Sequence, residues 1–277
     1  MNEHATNTFA VVLVAAGSGE RLGHGIPKAR VLLGGEPMLV HAVRGVLAAG
    51  CAAQVCIAVP PGDDELRGIA EALTVETAGT GAPAISVVDG GTDRAASVRA
   101  ALDVLDPAIT AVLIHDAARP LTPVVVYDRI TEALDGGARA VIPALAVVDT
   151  IKIVEPARLP GTDATEAPGA PHVPAVERVQ GTPARSRLRA VQTPQGFDLT
   201  TLRRAHAAAQ DAAAQHAAGA AATPPEVTDD AMLVEALGVP VYVVHGSPHS
   251  LKITTPTDLL LAEALLQDPL APRWVEG

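Results

Sequence analysis

Aromatic side chains make up only 2% of this 277-residue chain. That leaves little material for base-stacking platforms, and a core has to be assembled from Val, Ile, Leu and Ala. Positive charge is also in deficit. Lys and Arg number 20 against 31 Asp and Glu, a net charge of -11, which argues against nucleic acid as a partner, because a phosphate backbone is bound by a surplus of cations along one face. Any bound phosphate must be held by a few local cations. Cysteine is limited to Cys51 and Cys56, with no second pair or histidine cluster to make a zinc site, so two buried, reduced thiols are expected. No uninterrupted apolar run is long enough to cross a membrane. The amino terminus lacks a basic leader, and its short apolar run reads as a strand and not as a signal peptide. A soluble, cytoplasmic protein is expected.

What is present is a chain that is 48% hydrophobic, enough to bury one α/β core. Apolar runs of strand length at 10–15, 54–59, 84–88, 111–115 and 138–142 alternate with amphipathic stretches of helix length at 37–49, 63–73, 94–105 and 123–134. This is the pattern of βαβ units and a mostly parallel sheet with helices on both faces. Right-handed crossovers then align the carboxyl ends of the strands along one edge, where such sheets bind ligands. The pattern changes after Pro143. A β-branched run predicts a strand over 147–154, and 155–182, with Pro156, Pro160, Pro168, Pro171 and Pro174, reads as a flexible insertion. An Ala-rich surface helix over 199–222, a helix over 229–237, a strand over 239–245 and a final helix opening near Pro256 follow.

The most informative segment is Ala15-Ala16-Gly17-Ser18-Gly19-Glu20-Arg21, followed by Pro27-Lys28. Glycines directly after a strand let the backbone turn its N–H groups toward an anion, with no side chain in a nucleotide's way. The glycines alone also fit a dinucleotide-binding turn, but Gly23, Gly25 and Pro27 disfavour the helix that such a turn must open. No Gly-Lys-Ser or Gly-Lys-Thr follows, which excludes a P-loop. The loop carries two cations, Arg21 and Lys28, and phosphoryl or nucleotidyl transfer is accelerated mainly by position and charge.

The segments AAGSGERLGHGIPKA, VDGGTDRAASV, HDAARP, DTIK, TPQGF, EVTDDA and SLKITTPTDL occur in order along the chain. Together they resemble the 2-C-methyl-D-erythritol 4-phosphate cytidylyltransferases from end to end, most specifically at His115-Asp116-Ala117-Ala118-Arg119-Pro120 and Thr193-Pro194-Gln195. The resemblance implies a Rossmann-like nucleotidyltransferase fold in one domain over 1–277, with an extended dimerisation arm at about 146–190. It also implies a homodimer, and Mg2+ or another divalent cation bound with CTP. Arg21 and Lys28 would stabilise charge on the α-phosphate, while Arg185 and Lys252 would position the acceptor phosphate. CTP would be held at Ala15, Ala16, Gly17, Ser18, Gly19, Gly91 and Ser97, and Asp116 would face the ribose, the metal or the second substrate. Arg119, Thr150, Thr193 and Thr228 would complete the methylerythritol phosphate pocket. The nucleophile is a phosphate monoester that already carries about -1.5 to -2 charge, so no general base is required and His115 reads as a hydrogen-bonded structural histidine. Thr92 and Asp93 depart from the acidic residue that many members place after the paired glycines. Arg178, Arg187 and Arg189 are alternatives to Arg185.

Other classes remain open at this point. A cytidylyltransferase for another polyol phosphate, such as ribitol 5-phosphate, would share the loop and the metal chemistry. An NAD(P)-dependent dehydrogenase fits the glycine turn, but neither Tyr127 nor Tyr242 is followed four residues later by Lys. A non-catalytic nucleotide-binding regulator would bind CTP without releasing pyrophosphate.

Overall fold

The computed structural model describes residues 6–17, 26–159, 176–217 and 228–267. They fall into two units, Met1–Ala144 with Val191–Gly277, and Leu145–Ala190. The first half of the chain forms β1 (Phe9–Val14), β2 (Leu32–Leu33), β3 (Glu36–Pro37), α1 (Met38–Ala49), β4 (Ala52–Val59), α2 (Asp64–Thr77), β5 (Ala84–Asp89), α3 (Arg94–Leu102), β6 (Ala111–Asp116) and α4 (Val124–Asp135). The second half forms β7 (Ala140–Ala146), β8 (Ile153–Ala157), β9 (Val176–Gly181), β10 (Arg189–Val191), β11 (Gln195–Asp198), α5 (Leu199–Ala217), α6 (Asp230–Ala236), β12 (Tyr242–His245) and α7 (Pro256–Leu266). Among the described residues no helix is long and apolar enough to cross a membrane.

In the first unit the sheet order is β7-β11-β6-β1-β4-β5, with β12 also paired to β7. Strand β1 has parallel neighbours on both edges, β4 and β6. Helices cover both faces, which is why Phe-Ala-Val-Val-Leu-Val contains no polar position. Period-two alternation sends Val11 and Leu13 to one layer with Leu39 and Val43 of α1, Leu66 of α2 and Ile130 of α4. Ala10 and Val12 go to the other layer with Val98 of α3, Leu202 of α5 and Val234 of α6. Each such large aliphatic side chain stabilises the fold by about 1.5–3 kcal/mol on burial. Strand β11 runs antiparallel between β6 and β7. Its Gly196 marks where α4 presses closest, since a Cβ there would lie 2.3 Å from Ile130 Cγ2 and 2.8 Å from Leu134 Cδ1.

Helix starts follow local capping chemistry. Asp63, Asp93 and Asp229 accept backbone N–H groups at the openings of α2, α3 and α6, and Thr255 with Asp258 forms a reciprocal capping box at α7. Asp63, the acid nearest the position a dinucleotide fold would use for ribose, is thus engaged in capping and in a 3.4 Å pair with Arg30. Cys51 and Cys56 are free, and burial pushes the Cys51 thiol up to about 11 and that of Cys56 up as well.

The second unit departs from expectation. The strand expected over 147–154 begins only at Ile153, and 147–152, which include Thr150, have no regular structure. A strand needs a partner, and β9 offers one from Ile153 onward, with Glu155 opposite Arg178 and Pro156 opposite Glu177. The insertion expected to be irregular over 155–182 therefore begins and ends in a paired antiparallel ribbon. Proline is tolerated in a two-stranded ribbon, where every strand has a free edge. Residues 160–175 lie outside the described residues. Two smaller differences occur in and around the first unit. Strand β7 continues through Pro143, whose carbonyl accepts the Gln192 N–H at 2.8 Å. Helix α5 is described to Ala217 and buries one face through Leu199, Leu202, Ala205 and His206, so it is not wholly a surface helix.

Candidate active site

The carboxyl ends of β1 and β6 and the loop after β5 open onto one cleft. Ala15, Ala16 and Gly17 enter it from β1, and Asp116, Ala117 and Ala118 from β6. Gly91, Thr92, Asp93, Arg94 and Ser97 form the third side, and Lys28 and Lys252 complete the lining. The carbonyl of Gly17 accepts the Lys28 N–H at 3.3 Å, which closes the base of the loop whose middle, 18–25, lies outside the described residues.

The third side depends on two glycines without left-handed strain. A Cβ on Gly90 would come within 2.8 Å of Ser97 Oγ and 2.9 Å of Ala16 Cβ, and one on Gly91 within 2.2 Å of Ala96 Cβ. Only glycine lets this turn pack between the β1 loop and α3. The buried Ser97 hydroxyl accepts the Gly91 N–H at 3.1 Å and donates to the Asp93 carbonyl at 2.9 Å. The Asp93 carboxylate is taken by the Ala96 N–H at 2.7 Å, and Thr92 is exposed.

Asp116 closes the cleft at the end of β6 and is only 6% exposed. Lys252 Nζ lies 2.7 Å from one of its oxygens and Arg94 Nε 3.5 Å from the other. Burial alone would raise its pKa, but the charges of Arg94 and Lys252, with that of Arg119 behind them, hold it below the ordinary carboxylate range. Arg94 also donates to Asp230, a fully buried carboxylate whose other oxygen lies 3.0 Å from His206 Nε2. Asp230 is likewise held low: burial opposes ionisation, and the hydrogen bond from His206 and the charge of Arg94 outweigh it.

A second cavity adjoins the first and shares Arg94, Asp116 and Lys252 with it. Its remaining walls are Arg119, Val191, Gln192, Thr193, Gln195, Thr228 and Asp229. Arg119 is held in this lining by donating to the carbonyl of Val191 at 3.4 Å and, outside the cavity, to that of Ser250 at 2.6 Å. The Thr193 hydroxyl accepts the Asp116 N–H at 3.0 Å and lies 2.9 Å from His115 Nδ1. His115 is buried, and burial lowers its pKa to about 3, so the ring is neutral near pH 7. The Gln195 amide ties the opening of α6 into place through Asp229 at 2.8 Å and the Ala231 N–H at 3.3 Å.

The arrangement is therefore two adjoining cavities, one lined by Gly17 and Gly91 and the other by Thr193 and Thr228, with Arg94, Lys252 and Asp116 on the wall they share. The sequence profile of the 2-C-methyl-D-erythritol 4-phosphate cytidylyltransferases matches residues 9–268. The chain belongs to this family. A 2-C-methyl-D-erythritol 4-phosphate cytidylyltransferase of Streptomyces avermitilis is 46% identical over 260 residues, 93% of this chain and 91% of the relative. The solved cytidylyltransferase of Thermus thermophilus superposes with a TM-score of 0.64 at 32% identity, over 93% of this chain and 98% of that one. The 4-diphosphocytidyl-2C-methyl-D-erythritol synthase of Anaerococcus prevotii superposes at 0.71 and 26% identity, over 95% and 100%.

Set beside the motifs of the cytidylyltransferase family, the geometry brings together Ala15, Ala16, Gly17, Lys28, Gly91, Ser97, Asp116 and Lys252 in the first cavity. It brings Arg119, Thr193 and Thr228 to the second. Ser18, Gly19 and Arg21 lie outside the described residues. Thr150 and Arg185 belong to the second unit, where both are exposed and Arg185 donates to the Val148 carbonyl. Arg178, an alternative to Arg185, is engaged with Glu155 across the ribbon at 2.8 Å. Arg94, Asp230 and His206 were not singled out by motif. Arg94 stands inside VDGGTDRAASV and Asp230 inside EVTDDA, but their pairing spans 136 positions, and His206 is hidden in an Ala-rich run.

Proposed function

We propose that this chain joins CTP to 2-C-methyl-D-erythritol 4-phosphate, giving 4-diphosphocytidyl-2-C-methyl-D-erythritol and pyrophosphate. The observation that supports the site assignment is the wall of Arg94, Asp116 and Lys252 that two adjoining cavities share. CTP occupies the first, with the base against Ala15, Ala16, Gly91 and Ser97 and the triphosphate against the backbone of Gly17, Ser18 and Gly19. The acceptor occupies the second, against Arg119, Thr193 and Thr228, with Lys252 at its phosphate. An acceptor phosphate oxygen attacks the α-phosphorus. A new P–O bond forms, the bond from the α-phosphorus to the bridging oxygen breaks, and pyrophosphate leaves. Lys28 and Arg21 neutralise charge on the α-phosphate as this happens. Holding two anions in line is the main barrier, and the cations around the junction lower it.

Mg2+ or another divalent cation would accompany CTP in this reaction. Among the described residues no group of three or more His, Cys, Asp and Glu is arranged around an ion site. The ionised Asp116 is the carboxylate that would face such a cation. Such an ion supplies further charge neutralisation on the triphosphate oxygens.

The chain acts as one nucleotidyltransferase domain carrying an arm, and two copies join through their arms. Exposed Val148, Ile151, Ile153, Val154 and Val179 on the second unit support this, since an apolar set of that kind gains by burial against a second copy. Thr150 and Arg185 then serve the acceptor pocket of the dimer. The test is pyrophosphate release with CTP, UTP and ATP against 2-C-methyl-D-erythritol 4-phosphate, ribitol 5-phosphate and glycerol 3-phosphate. We expect CTP with the methylerythritol phosphate to exceed every other pair by about tenfold or more in kcat/KM. A preference for ribitol 5-phosphate would overturn the acceptor assignment.

A further inference from the structure

We propose that Asp230, seated by His206, is a positioning residue that fixes Arg94 at the junction of the two cavities and so sets the affinity for the acceptor. The inference rests on the function proposed above. Arg94 is the first residue of α3, directly after the cap Asp93, where the helix dipole disfavours a cation. Its placement is explained by two carboxylates that face it. Asp230 bonds it directly, whereas Asp116 lies 3.5 Å from its Nε. Asp230 is 1% exposed, and each of its oxygens has its own partner, Arg94 on one side and His206 at 3.0 Å on the other. Buried carboxylates are stable only when paired in this way.

The clamp ties three elements that chain connectivity does not hold together: the start of α3, the start of α6 and the middle of α5. It has two consequences for the junction. Asp230 holds the Arg94 guanidinium between two carboxylates, so that Asp116 keeps its 2.7 Å contact with Lys252 on one oxygen while Arg94 Nε stands back at 3.5 Å from the other. It also anchors the opening of α6, beside Thr228 and Asp229, which form part of the acceptor cavity. Without it Arg94 collapses onto Asp116 and that wall loosens.

The test uses the full chain with CTP and 2-C-methyl-D-erythritol 4-phosphate. Asp230→Asn keeps the shape and removes the charge, and we expect KM for the acceptor to rise about tenfold while KM for CTP stays within about threefold. His206→Leu should act in the same direction, by about threefold to tenfold, while His206→Gln, which retains an N–H donor, should stay within about twofold of the parent. A general loss of folded protein lowers the apparent kcat and leaves KM alone, so the split separates positioning from stability. Circular dichroism and melting establish that each variant is folded. If Asp230→Asn does not fold, the comparison of His206→Leu with His206→Gln decides. Unchanged acceptor KM in folded Asp230→Asn, or Gln behaving no better than Leu, would overturn the proposal. Failure of the parent chain to use the acceptor would instead overturn the proposed function.

Discussion

At Asp116 an almost fully buried carboxylate stays ionised because three cations surround it, and with Arg94 and Lys252 it lines both cavities. The cations that face the reacting phosphates should matter most for rate. Lys28→Ala is expected to lower kcat by about 10² to 10³, the usual loss for one preorganised charge aimed at a transition state, with a smaller effect on CTP binding. Steady-state kinetics would check it, and a change of only a few-fold would remove Lys28 from that role. His115 makes a different prediction. Burial lowers its folded-state pKa to about 3, whereas an unfolded imidazole titrates near 6.5. The unfolded chain therefore takes up the proton first. The stability linked to His115 is complete above about pH 6.5 and falls as pH drops toward 3, by up to about 1.4 kcal/mol per pH unit. His41, also lowered by burial, acts in the same sense. Asp116 and Asp230 are held low, so their contribution is lost only below about pH 4. Urea unfolding at pH 7, 6 and 5 should show a shallower pH dependence for His115→Gln than for the parent, and equal slopes would contradict this. At this scale motifs pointed to Asp116, Lys252 and Thr193 as candidates but not to what engages them. The partners of Thr193 lie 77 and 78 positions away, and no local pattern encodes such a contact.

The longer strands and the four helices of the first half were legible because the strands are continuous apolar runs and the helices open at Asp or Pro, whereas the two-residue strands β2 and β3 are too short to leave a pattern. What was not legible depends on pairing. Residues 147–152 have strand-like composition but no regular structure, and the ribbon begins where β9 supplies a partner. Pro143 looked like a break, yet β7 continues through it to Ala146. Gly196 is an example of an element contact concealed in a motif, since TPQGF does not announce that α4 lies against it. Gly196→Ala should destabilise the chain by about 1–3 kcal/mol through overpacking against Ile130 and Leu134, measured by urea unfolding. An unchanged midpoint would show that α4 moves aside without cost.

At the scale of the whole molecule, the proposed arm predicts that the stretch between β8 and β9 is dispensable. Replacing 160–175 with a short Gly-Ser turn keeps β8 and β9 intact, and the sequence there, rich in Pro, Gly and Ala, offers little apolar surface to bury. On the proposed dimer, sedimentation of this variant should show two copies with parental pyrophosphate release, and an inactive but folded dimer would show that the replaced segment contributes to the site. The most direct measurement of the central claim is product identification by 31P NMR. The purified chain is incubated with CTP, Mg2+ and 2-C-methyl-D-erythritol 4-phosphate, beside a control without acceptor. The expected result is a pair of coupled diphosphate resonances growing in step with one equivalent of pyrophosphate, while the acceptor monoester signal disappears. Loss of CTP with no new diphosphate, or no change from the control, would contradict the account.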